Sequence, residues 1–330
     1  MSEKLDRTFE KAVEPLRGGL RLHCYRMLGS SHDSDDVVQE TLLRAWRAKD
    51  SLKDRERLRP WLYRIATNAC LDELKRRPKR GLAWDVRPAA TDPRAVAPAV
   101  EDALWLEPMP DVWLESAGAP DPSAKYTLKE SVALAFVAAL QTLSPAQRAT
   151  LLLRDVVGLS AEEAAEALEL SVGAANSALF RARTAVEEKV GTKAPAEFAK
   201  ERGDVDEATL AEYMRALESS DVEALIAMLH EEVKTAMPPS PTWIAGKEAN
   251  AAFYRWMFGD RLKGWIRLLR TSANGQPAFA FYRAANKGEP NLLRAIQLVE
   301  TKDRRIAAVD HFMLPKVFPL FGFPESFGTY

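Results

Sequence analysis

Hydrophobic residues recur every three or four positions through most of the first 190 residues, then give way to shorter alternating runs. Leu5, Phe9, Val13, Leu16, Leu20, Cys24 and Met27 share one helical face and predict a helix over 4–29. Pro15 interrupts it, because proline lacks the N–H that a helix interior needs. After Gly29-Ser30-Ser31-His32, Asp33 or Ser34 is placed to cap a second helix, with Val38, Leu42, Ala45 and Trp46 inward. Asp36, Gln39 and Glu40 fall on its outer side, and Asp35 and Asp36 lie near the positive end of its dipole. Pro60 suits the first turn of a third helix, whose polar face reads Trp61, Arg64, Asn68, Asp72 and Lys75, followed by Arg76, Arg77, Lys79 and Arg80.

Periodicity vanishes from 81 to 125, where Pro88, Pro93, Pro98, Pro108, Pro110, Pro120 and Pro122 crowd among alanines and acids and predict a linker. Its two tryptophans, Trp105 and Trp113, suggest that it docks on something. Helix resumes near Tyr126, and Ser144-Pro145-Ala146-Gln147 forms a capping box that opens another helix to Val157. Ser160 and Glu163 form a second box, for a short helix that buries Ala164, Ala165 and Leu168. Ser171 then caps a helix with Val172, Ala175, Leu179, Ala182 and Val186 in one apolar stripe. The opposite face carries Gly173, Asn176, Ser177, Arg181 and Arg183, small or hydrogen-bonding groups with cations toward the end. A tight pair of this kind suits a helix-turn-helix in a major groove, and by itself equally an ordinary packed pair.

A second hinge is predicted over 191–204, and beyond it the texture changes. Helical patterns around Leu210–Leu217, Val222–Leu229 and 247–258 accompany a strand near 234–237 and strands over 265–270, 278–283, 292–300 and 305–312. Asn274-Gly275 and Lys302-Asp303 supply the hairpin turns. Helices followed by a meander imply an α+β domain with a curved antiparallel sheet.

Composition narrows the class. A chain of 330 residues, 47% hydrophobic, can build two or three cores. No run of eighteen apolar residues predicts a membrane span, and the charged N-terminus does not resemble a signal peptide. Cys24 and Cys70 stand without metal-ligand spacing and read as reduced core thiols of a cytoplasmic protein, with no metal or cofactor expected. The net charge of −1 hides a basic block over 53–80, ten cations against four anions, and an acidic one over 82–130, four against nine. Such an asymmetry points to nucleic acid, although either block alone also fits a solvated surface.

Together these residues resemble the sigma-70 family of RNA polymerase initiation factors, in its extracytoplasmic-function group. Asp35-Asp36-Val37-Val38-Gln39-Glu40-Thr41 to Trp46, with Trp61-Leu62-Tyr63-Arg64-Ile65-Ala66-Thr67-Asn68, resembles region two. Leu143-Ser144-Pro145-Ala146-Gln147-Arg148, Gly158-Leu159-Ser160 and Arg181-Ala182-Arg183 resemble region four. The resemblance implies that Asp36, Val38, Gln39, Glu40, Leu42 and Leu43 meet the clamp helices of core RNA polymerase, with region four near its flap. It implies that the 49–59 loop holds an unstacked minus-10 base and that Trp61, Arg64, Asn68, Asp72, Lys75 and Arg76 follow the melted strand. Minus-35 reading would fall to Ser171, Gly173, Ala174, Asn176, Ser177, Arg181 and Arg183. Many relatives carry cations where Asn176 and Ala178 stand, so phosphate contacts on this helix are fewer.

Pro241-Thr242-Trp243-Ile244-Ala245-Gly246-Lys247-Glu248 and Arg305-Ile306-Ala307-Ala308-Val309-Asp310 resemble the SnoaL-like branch of the cone-shaped fold of nuclear transport factor and ketosteroid isomerase. The implied organisation is a region-two domain over 1–80, an acidic linker over 81–125, region four over 126–190, a hinge over 191–204 and a SnoaL-like regulatory domain over 205–330. Adjacent strand residues face opposite ways, so Asp310 and His311 do not form one acid–base pair, and His230 reads as a helix-end histidine. No catalysis is expected. Whether the last domain locks the sigma domains, supports them or takes a small-molecule ligand stays open. So do a ligand-responsive DNA-binding regulator independent of polymerase, and a SnoaL-class enzyme fused to a DNA-binding module.

Overall fold

The computed structural model describes residues 9–52, 54–76, 79–100, 105–118, 124–190, 206–261, 265–286 and 288–329; the hinge expected over 191–204 lies outside them. The chain forms two compact units, Met1–Arg80 with Asp111–Pro195, and Gly81–Pro110 with Ala196–Tyr330. No helix among the described residues is long and apolar enough to cross a membrane.

The first unit is helical. Helix α1 (Arg17–Leu28) follows a 3-10 turn, Glu14–Leu16, where Pro15 breaks the ladder as anticipated. Gly29 ends α1 at φ 66°, a left-handed conformation that glycine adopts without strain. Helix α2 (Ser31–Ala48) starts three or four residues before the sequence reading: Ser30, not Asp33 or Ser34, is the cap, accepting from Asp33 N at 3.0 Å. The Asp33 carboxylate is instead held by Arg80 at 2.5 Å. Helix α3 spans Leu58–Arg76. A single turn, Val112–Glu115, packs against α1, with Trp113 buried beneath the Arg21 guanidinium. A Cβ on Gly18 would sit 1.9 Å from Ser116 O, so this close approach requires glycine.

Helices α4 (Leu128–Val132) and α5 (Leu134–Thr142) lead to α6 (Pro145–Leu151), which opens on the Ser144–Gln147 box and loosens into a π turn over Leu152–Val156. The Ser160–Glu163 box starts α7 (Ala161–Ala167), and Ser171 Oγ accepts from Ala174 N at 3.2 Å at the head of α8 (Val172–Val190). Leu20, Met27 and Leu62 share one contiguous core with Leu140, Leu151 and Leu179, so the two halves of this unit are cemented by one burial. Two buried guanidiniums cross the seam. Arg26 donates to Ser131 O at 3.1 Å and to Ser131 Oγ at 2.6 Å. Arg148, 1% exposed, donates to Met27 O and to Gln141 Oε1 at 2.6 Å. Burial pushes both down to about 10, which leaves them charged at neutral pH.

In the second unit α9 (Glu207–Glu218), α10 (Val222–Ala227) and α11 (Lys247–Trp256) accompany a seven-stranded sheet. The strands are β1 (Leu229–Ala236), β2 (Trp243–Ala245), β3 (Ile266–Ala273), β4 (Gln276–Arg283), β5 (Pro290–Lys302), β6 (Arg305–Phe312) and β7 (Ser326–Thr329). They run in the order β2-β1-β6-β5-β4-β3, with β7 on β5, and pair antiparallel except for β1 with β6. The sheet is therefore mixed, because the helices between β1 and the meander bring β1 back beside β6 in the same direction. Asn274 and Gly275, at φ 54° and 71°, turn the β3–β4 hairpin as expected. The second turn sits one residue later than expected, on Asp303 and Arg304, at φ 51° and 57°. His230 lies on β1 rather than at a helix end, and its Nδ1 accepts from Glu232 N at 3.1 Å.

Residues 81–110, expected as linker, belong to this unit. Ala90 N donates to Trp243 O at 2.9 Å, Val100 N to Pro239 O at 3.0 Å, and Asn274 N to Met109 O at 3.0 Å. Trp105, Leu106 and Met109 are buried, and Glu107, fully enclosed, pairs with Lys316 at 2.7 Å. Prolines confine helix in the segment to one turn, Ala83–Val86, while its other amides and apolar side chains are satisfied by the domain it lies on.

Candidate nucleic-acid interface

On α2 the surface assigned to polymerase is divided by burial. Asp36 and Gln39 are exposed, Leu42 and Glu40 half-buried, and Leu43 is 53% exposed. Val38, 1% exposed, belongs to the core and supports this face from within instead of presenting itself on it. Glu40 holds Arg44 at 2.7 Å, and Arg44 reaches Asp72 of α3 at 3.4 Å. Lys75 joins Asp72 at 3.2 Å, and the Lys75 and Arg44 cations hold that carboxyl below its ordinary range.

The α3 face forms as spaced. Trp61, Arg64, Asn68 and Asp72 are half-buried along it, and Lys75 and Arg76 are exposed at its end. Trp61 is not a free stacking plate: Phe9 packs edge-on against it at 6.4 Å, because Phe9 lies on the helical stripe preceding α1. Its remaining surface faces a cavity of about 400 Å³ whose lining includes Ser51, Leu52, Asp54 and Arg57 on one side and Glu163 and Glu166 of α7 on the other. Glu166 takes Arg57 at 2.6 Å and Arg64 at 3.8 Å, and Arg59 donates to Val157 O at 2.5 Å. The helix-turn-helix thus lies over the loop and the start of α3.

On α8, Ser171, Gly173, Ala174, Asn176, Ser177 and Arg181 are all exposed. Ala175, Leu179, Ala182 and Val186 are buried as the stripe predicts, whereas Val172 is 39% exposed at the helix start. Arg183 points elsewhere. Its Nε and Nη2 fork onto Asp155 at 2.8 and 2.6 Å, a carboxylate only 4% exposed, so its first role is to fix α8 to the π turn. Sequence reasoning missed Phe180, 72% exposed on the same side as Asn176 and Ser177. The signal was present: an aromatic residue out of phase with an otherwise regular apolar stripe.

The family models that match are Sigma-70 region 2 over residues 12–80, Sigma-70, region 4 over 133–186 and a SnoaL-like domain over 210–309. The chain is 40% identical over 318 residues to the ECF RNA polymerase sigma factor SigG of Mycobacterium tuberculosis (strain ATCC 25618 / H37Rv), across 96% of this chain and 84% of that one. It is 32% identical over 163 residues to the ECF RNA polymerase sigma-E factor of Escherichia coli (strain K12), across 48% of this chain and 75% of that one. The crystal structure of the Mycobacterium tuberculosis sigma factor SigJ shares the fold, with a TM-score of 0.58 at 20% identity over 93% of this chain and 97% of that one.

Proposed function

Because the chain belongs to the extracytoplasmic-function group of RNA polymerase sigma factors and carries a C-terminal SnoaL-like domain, we propose that it brings core polymerase to promoters through two separate helical surfaces. Asp36, Gln39, Glu40, Leu42 and Leu43 dock on the polymerase, with Val38 bracing them. The α3 face from Trp61 to Arg76 follows the opened minus-10 strand, and α8 reads minus-35 bases with Gly173, Ala174, Asn176, Ser177 and Arg181. Arg183 contributes by holding α8 in position. We take 1–80 and 126–190 as the two sigma domains and 205–330 as the regulatory one.

The observation that carries this reading is the capped, exposed α8 face held in one unit with the basic α3 face. The support for a path along α3 is chemical: the carboxylate of Glu166 stands where a phosphate oxygen would satisfy Arg57 and Arg64. Binding of the minus-10 strand then displaces α7. In the C-terminal domain we read small-molecule binding without catalysis. Asp310 and His311 lie on opposite faces of β6, and His311 alone of the two lines the cavity. The test is run-off transcription by purified core polymerase with the full-length chain. Promoter-dependent transcripts are expected, and Leu43→Asp should abolish them while leaving binding to isolated duplex intact. Failure of the chain to associate with core polymerase would end this reading.

A further inference from the structure

The second unit carries a half-open cavity of about 620 Å³ between the sheet, α11 and the 3-10 turn Pro315–Phe321, a size that suits a small organic molecule. Phe253, Met257, Phe258, Phe281, Met313 and Phe318 give it an apolar, adaptable lining. Polar side chains interrupt that lining, Gln297, Thr235 and His311 among them, together with Tyr254, Arg283 and Arg294. Gln297 and Thr235 are 5% and 3% exposed; Gln297 Oε1 and Thr235 Oγ1 make no hydrogen bond of good geometry, and the groups beside these side chains are the hydroxyls of Tyr213 and Tyr254. A buried polar atom left in this way costs roughly 1–3 kcal/mol, so two at one apolar cavity mark a place where something else completes them.

The third group is His311, set edge-on to Phe281 at 4.8 Å. Gln297 Nε2 lies 3.2 Å from its Nδ1 and donates to it, which puts the imidazole proton on Nε2. Burial pushes His311 down to about 4, so it stands as a neutral donor rather than a cation. The cavity therefore offers an acceptor, a hydroxyl and a neutral N–H along one largely apolar wall. An ether or a carboxylate can only accept and leaves Gln297 Oε1 unpaired; a hydroxyl donates and accepts at once. Arg283 and Arg294 also line the cavity, Arg283 half-buried and Arg294 exposed, which makes a carboxylate the rival ligand although an ion pair to Arg294 contributes little.

We propose that this cavity binds a neutral, largely apolar molecule through a single hydroxyl group that pairs with Gln297 and bonds to His311 or Thr235. The proposal rests on reading the domain as a small-molecule module and adds the class of ligand. The test titrates the full-length chain calorimetrically with 4-hydroxybiphenyl, 4-methoxybiphenyl and biphenyl-4-carboxylate. The hydroxyl compound should bind roughly tenfold or more tighter than its methyl ether, the worth of one well-made buried hydrogen bond. In Gln297→Leu, which keeps the cavity apolar and of similar volume, the two should bind alike, with the ether undiminished. Equal binding of phenol and ether by the unaltered chain refutes the hydroxyl assignment, and tightest binding of the carboxylate replaces it with an acid site at Arg283 and Arg294. No binding by any of the three overturns the premise that the cavity takes such molecules, a result distinct from the other two.

Discussion

Arg57, just before α3, and Arg64, within it, lean on Glu166, while Arg183 of α8 forks onto Asp155. The first contact is open to water, with side chains 54%, 44% and 52% exposed for Arg57, Arg64 and Glu166. In the second the carboxylate is 4% exposed. An exposed pair contributes about 0–1 kcal/mol and is readily exchanged for a phosphate. A pair with one buried member is costly to break, roughly 3–5 kcal/mol, because a charge is stranded in a poor solvent. The two helices proposed to meet DNA thus use the same chemistry for opposite ends: the α3 contact is replaceable, the α8 contact structural.

The strongest test of that contrast is Arg183→Ala, which strands the Asp155 carboxylate and should destabilise the first unit by about 3 kcal/mol in urea unfolding. A loss under 1 kcal/mol would show that Arg183 is available to DNA after all. Next, Asn176→Ala should change preference among minus-35 sequences by roughly 1–3 kcal/mol, measured as competition between promoter duplexes. Uniform weakening on every sequence would make α8 a phosphate-binding helix like α3. Third, the α3 platform rests on His23, which lies 2.9 Å from Thr67 Oγ1 and is driven down to about 3 by burial and by Arg26. The unfolded chain takes up this proton near pH 6.5 and the folded one only near 3, so stability falls as pH drops through that window. The loss by pH 5 should be about 2 kcal/mol, and His23→Gln should flatten it. The smallest effect belongs to Glu166→Gln: stability should move by under about 1 kcal/mol, while affinity for a single-stranded minus-10 oligonucleotide rises roughly two- to fivefold. Unchanged affinity would mean that Glu166 does not compete with the strand.

What could be read from the sequence was what is local. The Ser144–Gln147 and Ser160–Glu163 boxes each close within one turn, so four residues suffice to predict them. The α8 stripe and the Asn274-Gly275 turn are likewise written in adjacent residues. Long-range features were illegible. Ser30 caps α2 because Asp33 is drawn off by Arg80, 47 residues away. The short strands β2 and β7 exist only through their partners, Trp243 pairing with Ala236 and Phe327 with Asn291. At the candidate interface, spacing placed Trp61 to Lys75 on one face, but nothing in it could reveal that Phe9 backs Trp61, that Glu166 covers Arg64 or that Asp155 claims Arg183. Those contacts join residues whose proximity is a product of the fold.

The route of the backbone has its own consequence. Since 81–110 lies with the second unit while Asp111–Pro195 returns to the first, no single scission of the polypeptide yields two intact pieces. A deletion of everything after the hinge would strip the cover from Trp105, Leu106 and Met109 and leave Glu107 without Lys316, so its phenotype would mix lost regulation with a newly sticky surface. Point substitutions inside the cavity, rather than shortened chains, are the clean way to ask what the last domain does to the rest.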